Sequence, residues 1–110
     1  MTTTHAVASV NDFAASTMQA HTLVDSEGHQ HRVLVVRMED SFYGLGEICS
    51  HADVSLVDGT LWNDECEIEC PKHGSLFSLV TGKPSTFPAT KPVPVYSVVV
   101  VDGTVVVTLP

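Results

Sequence analysis

Apolar residues along this chain come in short runs separated by Gly, Pro, Asp and Asn, and no stretch holds a 3.6-residue period. Short, β-branched-rich runs bounded by turn residues are the mark of strands. The first 16 residues read as a short strand and a loop, with a turn near 11–16. "HTLVDSEGHQHRVLVVRM" predicts a hairpin, with strands at 20–24 and 31–38 and a turn at Ser26-Glu27-Gly28. A second turn at 39–41 leads into a strand over 42–49. Gly44 and Gly46 within that strand signal a bulge or the close approach of another backbone. Asp58-Gly59 is a hairpin signal, "ECEIEC" at 65–70 alternates like an exposed strand, and 76–80 is a further strand. A Pro-rich loop follows, and 95–109 reads as two valine-rich strands joined by the two-residue turn Asp102-Gly103. The pattern predicts an all-β fold without a helix of any length.

With 110 residues and an apolar fraction of 44%, the chain is expected to form a single domain over 1–110 with an ordinary buried core. The formal net charge of −8 argues against nucleic acid or an anionic membrane as partner, because phosphate contacts need a surplus of Lys and Arg. No apolar run approaches the ~20 residues of a membrane span. The N-terminus lacks a basic segment followed by an apolar core, so no signal peptide is expected and the location is expected to be cytoplasmic. Three cysteines cannot all pair with one another, and in a protein that is not secreted clustered Cys and His point to metal before disulfides.

The candidate chemistry lies in two turns. "EICSHAD" carries Cys49 and His51, and "ECPKHGS" carries Cys70 and His73. The strands place the four side chains at one tip of the β-structure. Thiolate and imidazole suit zinc, copper or iron–sulfur and not magnesium or calcium. One reading is a structural zinc held by two Cys and two His, making the chain a protein-binding module. Zinc ligand pairs are usually alike, whereas each turn here supplies one of each type. A Rieske cluster, in which two Cys bind one iron and two His the other, accounts for the mixed pairs.

"CSH" and "CPKHGS" resemble the two ligand loops of Rieske-type [2Fe–2S] proteins, and "FSLVTGKP…PATKPVPVY" is similar to that family's strand and proline-bearing third loop. The resemblance covers roughly residues 30–108. It implies antiparallel β-sheets with a small cluster-binding subdomain, about 46–83, carrying both loops. It implies that Cys49 and Cys70 bind the inner iron of a [2Fe–2S] cluster and His51 and His73 the outer iron, with Ser75, Phe77 and Pro92 around it. The function implied is that of a monomeric ferredoxin carrying one electron from a reductase to an oxygenase or another redox acceptor. The chain is too short to hold a catalytic iron or flavin domain beside this one, so it is expected to be a carrier and not an enzyme.

Two departures from the pattern matter. Val54 and Lys72 stand where respiratory members of the family place a disulfide between the loops, so that bridge cannot form. Phe77 stands where they place a tyrosine that donates to a cysteine sulfur, while Ser75 keeps their serine donor. Hydrogen bonds to sulfur favour the more negative reduced state, so a potential near the low end of the Rieske range, on the order of −150 mV, is expected. Of the remaining residues, His29 and His31 are expected to be solvated at a hairpin end, and Trp62 and Phe77 to be core beneath the loops. Cys66 is expected on a strand as a buried or half-exposed thiol, and Asp53 and Lys72 as charges flanking the histidines.

Overall fold

The computed structural model describes residues 2–50, 53–72, 74–87 and 89–110. Among the described residues nine strands form in chain order: β1 Thr3–Ser9, β2 Thr17–Val24, β3 Gln30–Met38, β4 Ser41–Gly46, β5 Thr60–Trp62, β6 Glu67–Glu69, β7 Leu76–Ser78, β8 Val95–Val101 and β9 Thr104–Leu109. Every pairing between them is antiparallel. A six-stranded sheet runs β1-β9-β8-β4-β3-β2, and a three-stranded sheet runs β5-β6-β7. Among the described residues no helix is long and apolar enough to cross a membrane.

Strand β3 explains how the sheets stack. Its run "VLVV" is buried on both faces, which is why it reads as continuous rather than alternating. Val33 and Val35 pack with Phe13, Val105, Val107 and Leu109. Val105, Val107 and Leu109 come from β9, which is not a neighbour of β3, so the large sheet curls around this core. Leu34, Val36 and Met38 point the other way, into a second core with Leu45, Ile68 and Phe77 beneath the small sheet. Phe42 and Tyr43, adjacent on β4, divide between the same two cores.

The β8–β9 turn is as the sequence predicts: Asp102 and Gly103 adopt φ of 50° and 77°, the left-handed conformations that a two-residue hairpin needs. Gly44 and Gly46 mark close approach and not a bulge, because the β3–β4 register is unbroken. A Cβ on Gly44 would stand 2.8 Å from Val98 Cγ2, and one on Gly46 would stand 2.7 Å from Pro94 Cδ.

Several expectations are corrected. Asp58-Gly59 does not turn a hairpin; Leu56–Asp58 form a 3-10 turn capped by Ser55, whose Oγ accepts the Val57 N–H. Cys66 lies on the turn between β5 and β6, at φ 55°, and not within a strand. It is a half-buried thiol hydrogen-bonded to the Tyr43 phenol, whose pKa that contact, followed by burial, pushes up. Trp62 is 45% exposed and donates its indole N–H to Glu69 Oε1 at 2.9 Å. His31 is not solvated. Its Nε2 lies 2.8 Å from Asp25 Oδ2 and its Nδ1 3.1 Å from the Tyr96 hydroxyl.

The His31 contact, with the Asp25 Oδ1 bonds from the Glu27 and His29 amides, holds the Asp25 carboxyl at about 2, down from the usual 3.8. A depressed carboxylate adds stability that is present above its unfolded pKa and is lost as pH falls through the folded one. Asp25→Asn is therefore expected to be less stable than the parent at neutral pH, with the gap closing between about pH 4 and pH 2. Urea midpoints of both proteins across that window provide the check; a gap independent of pH would remove Asp25 as its cause.

Candidate metal centre

Two loops built alike bring their cysteines into one core cluster. In the first, the Cys49 N–H donates to the Val54 carbonyl at 3.0 Å, and the loop closes with the isolated antiparallel bridge Ile48–Ser55. In the second, which joins β6 to β7, the Cys70 N–H donates to the Ser75 carbonyl at 2.8 Å. Each loop thus opens with a cysteine whose amide bonds to the carbonyl five residues on. Cys49 and Cys70 are 4% and 0% exposed, and both belong to the core cluster that contains Phe77. The sequence places His51 and His73 two and three residues further along; both lie outside the described residues.

The base of the first loop is held by a polar clamp that the sequence reading missed. Glu47 is buried between the end of β4 and Cys49. Arg32 reaches it with a forked pair of bonds, Nε to Oε1 at 3.2 Å and Nη2 to Oε2 at 3.0 Å. Ser55 Oγ donates to Glu47 Oε2 at 2.5 Å, and the Leu56 N–H donates to the Glu47 carbonyl at 2.7 Å. A buried carboxylate is tolerated when its oxygens are paired in this way. The signal was present in the sequence: antiparallel pairing of β3 with β4 brings Val33 opposite Gly46, so the next step pairs Arg32 with Glu47.

The third loop, running from Pro84 to Pro94, is fastened to both cysteine-bearing loops. Ser50 Oγ donates to the Lys91 carbonyl at 2.6 Å. The Ala89 N–H donates to Ser75 Oγ at 3.0 Å, in a buried contact. The Leu76 N–H donates to Thr86 Oγ1 at 2.9 Å, and Gly46 donates to the Pro94 carbonyl at 2.8 Å. Among the described residues of this loop Ala89 and Val93 are buried, while Pro92 is exposed. Ser75 and Phe77 are both fully buried.

The donor set suits an iron–sulfur group. Two buried thiols sit at matched positions in two loops and share a core cluster with Ala89 and Val93 of the third, which is the environment a soft, low-dielectric metal centre needs. Among the described residues no group of three or more His, Cys, Asp and Glu converges as a metal site, and the histidines of the sequence motif are not among those residues.

Comparison with known proteins agrees with this geometry. The Rieske [2Fe-2S] domain family matches residues 3–97. Ferredoxin CarAc of Metapseudomonas resinovorans is 42% identical over 96 residues, covering 86% of this chain and 87% of that protein. The ferredoxin of carbazole 1,9a-dioxygenase from Nocardioides aromaticivorans IC177 superposes with a TM-score of 0.85 at 35% identity, over 96% of each chain. A solved complex of reduced oxygenase and oxidized ferredoxin in carbazole 1,9a-dioxygenase matches with a TM-score of 0.81 at 36% identity, over 94% of this chain and 91% of that one. The chain belongs to the Rieske [2Fe-2S] domain family. Its cofactor is a [2Fe–2S] cluster, and its role is electron transfer and not catalysis of a reaction of its own.

Proposed function

We propose that this protein is the ferredoxin of an aromatic-ring dioxygenase system, taking single electrons from a reductase and delivering them to the oxygenase. The observation that carries the reading is the pair of matched loops, each opening with a buried cysteine. Cys49 and Cys70 hold the inner iron, and His51 and His73 hold the outer one. When bound, the cluster supplies a one-electron couple. The chain's own residues do the rest. The Glu47–Arg32–Ser55 clamp fixes the first loop, and the third loop excludes water through Ala89 and Val93. Ser75 accepts the Ala89 N–H and so keeps its hydroxyl proton for a cluster sulfur. Residues 46–83 act as the cluster-binding subdomain of one domain, and the protein works as a cytoplasmic monomer. Relatives that are ferredoxins of dioxygenase systems, one solved together with its oxygenase, support the choice of partner.

The test is electron paramagnetic resonance of the dithionite-reduced protein, with iron, sulfide and zinc measured on the same sample. The reading requires the rhombic signal of mixed His and Cys ligation and about two irons per chain. About one zinc per chain with no signal would leave a zinc-stapled binding module instead.

The potential offers a finer check. Phe77 lies in the core cluster with both cysteines and offers no hydrogen-bond donor. Phe77→Tyr is expected to raise the midpoint. A net hydrogen bond of about 0.5–1.5 kcal/mol in the reduced state corresponds to roughly 20–60 mV for one electron. A midpoint that stays put or drops in voltammetry would remove residue 77 as the determinant of the low potential.

A further inference from the structure

The curled core of the large sheet ends in a hollow. His31 stands on β3 ahead of Val33 and Val35 at alternate positions, and so shares their face. Tyr96, near the start of β8, and Leu109, the last residue of β9, pack into the same core. Strands β3 and β8 both pair antiparallel with β4, and β9 pairs antiparallel with β8. The start of β3, the start of β8 and the end of β9 therefore lie at one end of the sheet. There His31, Tyr96 and Leu109 border a hollow of about 560 Å³, which Pro94 and Val95 also line. Of the described residues lining it, none is Lys, Arg, Asp or Glu, and none belongs to either cysteine-bearing loop. The mouth of a curled sheet, apolar with a few convergent polar groups, is the setting in which small molecules bind.

The polar groups at this hollow have a fixed sense. His31 Nε2 lies 2.8 Å from Asp25 Oδ2, and Nδ1 lies 3.1 Å from the Tyr96 hydroxyl. Asp25 Oδ1 already takes the Glu27 and His29 amides, and the carboxyl stays ionised far below neutral pH, so Asp25 can only accept. A neutral imidazole has one proton and one lone pair to offer. The proton must then sit on Nε2, facing the carboxylate, and the Nδ1 lone pair takes the Tyr96 O–H. The phenol proton is thereby used within the chain, and the Tyr96 oxygen has only lone pairs left. The two rings meet edge to face at 5.8 Å, which holds the pair in place. What this wall of the hollow asks of a ligand is a donor.

We propose that this hollow is a binding site for a neutral phenol, its ring seated among Pro94, Val95 and Leu109 and its O–H donated to the Tyr96 oxygen. The apolar lining takes the ring. A lining without Lys or Arg has nothing to pair with an anion, and a carboxylate placed there would meet an oxygen with no proton to give. An ether of similar shape would strip water from the Tyr96 oxygen and leave it unpaired. The site uses no residue of the cysteine-bearing loops, so it stands whatever metal those loops hold.

The test is titration of the isotope-labelled, oxidised holoprotein at about pH 8, where free imidazole and phenol are both neutral, read by amide shifts in magnetic resonance. The probes are para-ethylphenol, para-ethylanisole and para-ethylbenzoate. The phenol is expected to shift the amides of His31, Tyr96 and Leu109 and to saturate, with a dissociation constant on the order of 1 mM or tighter. The ether is expected to bind about fivefold more weakly, the size of one lost hydrogen bond, and the benzoate more weakly still. Tyr96→Phe keeps the ring and removes the oxygen, so in it the phenol and the ether are expected to bind equally. Equal affinities in the parent, a preference for the benzoate, or a phenol preference that survives Tyr96→Phe overturns the proposal. So do shifts that grow without saturating, or that centre on the exposed ring of Phe87 and not on the hollow. The ranking of probes in the parent needs no variant, so the proposal can fail even where Tyr96→Phe does not fold.

Discussion

Cys70→Ser is expected to remove the cluster altogether. Cys70 is fully buried at the mouth of the second loop, its amide is already committed to Ser75, and no other thiol lies in that loop. A serine hydroxyl is a hard ligand with no affinity to match a thiolate for iron. The expected result is a colourless protein with neither the iron nor the resonance signal. Binding energy at such a centre is also folding energy, so the melting temperature is expected to fall by on the order of 10 °C or more. The matched control is Cys66→Ser. Cys66 sits on the β5–β6 turn and bonds to Tyr43, so this variant is expected to keep a full complement of iron. Retention of the cluster by Cys70→Ser, or its loss in Cys66→Ser, would reassign the inner-iron ligands.

A comparably large effect is expected at a residue with no chemistry of its own. A Cβ added to Gly59 would stand 2.1 Å from the Glu69 carbonyl oxygen and 3.0 Å from that of Leu56. Both are backbone atoms, and the φ of Gly59 is −80°, so the cost of Gly59→Ala is steric and not conformational. Relief requires β5 to move off β6 at the pair Thr60–Glu69, next to Cys70. Overpacking of this kind costs about 3 kcal/mol, or roughly 10–20 °C in melting temperature for a domain this small, and a broadened cluster spectrum is expected with it. Gly28→Ala calibrates the result. Gly28 has φ 85° but nothing within 4 Å of an added Cβ, so only backbone strain of about 1 kcal/mol is expected. Calorimetry that ranked the two glycines the other way would mean that the small sheet yields more easily than its packing implies.

The contrast between glycines also shows what a sequence can reveal. Asp102-Gly103 was legible because the turn asks both residues for positive φ, which is a local demand. Asp58-Gly59 has the same letters, but there glycine answers to the Glu69 backbone passing beside it, a demand ten residues away. The mixed Cys and His pairs were legible because ligand spacing is set by a single loop. Trp62 was misread because residue type indicates burial only on average. In a three-residue strand its face is set by pairing with Glu67, which turns the ring outward. His31 gave no sign of its role because Tyr96, one of its two partners, comes from β8, 65 residues away. The fastening of the third loop was hidden for the same reason: Ser50–Lys91 and Ser75–Ala89 are bonds between distant segments.

Strand β3 has one more consequence. It is a shared wall, giving alternate side chains to the core under the ligand loops and to the core inside the curled sheet. Neither core can come apart while the other keeps its packing, so the two are a single cooperative unit. The amides of Val33 to Val36 should then exchange with solvent only through global opening. Heat or denaturant would release the metal in the same event that melts the side of the molecule farthest from it, and the cluster's colour would report on the whole fold.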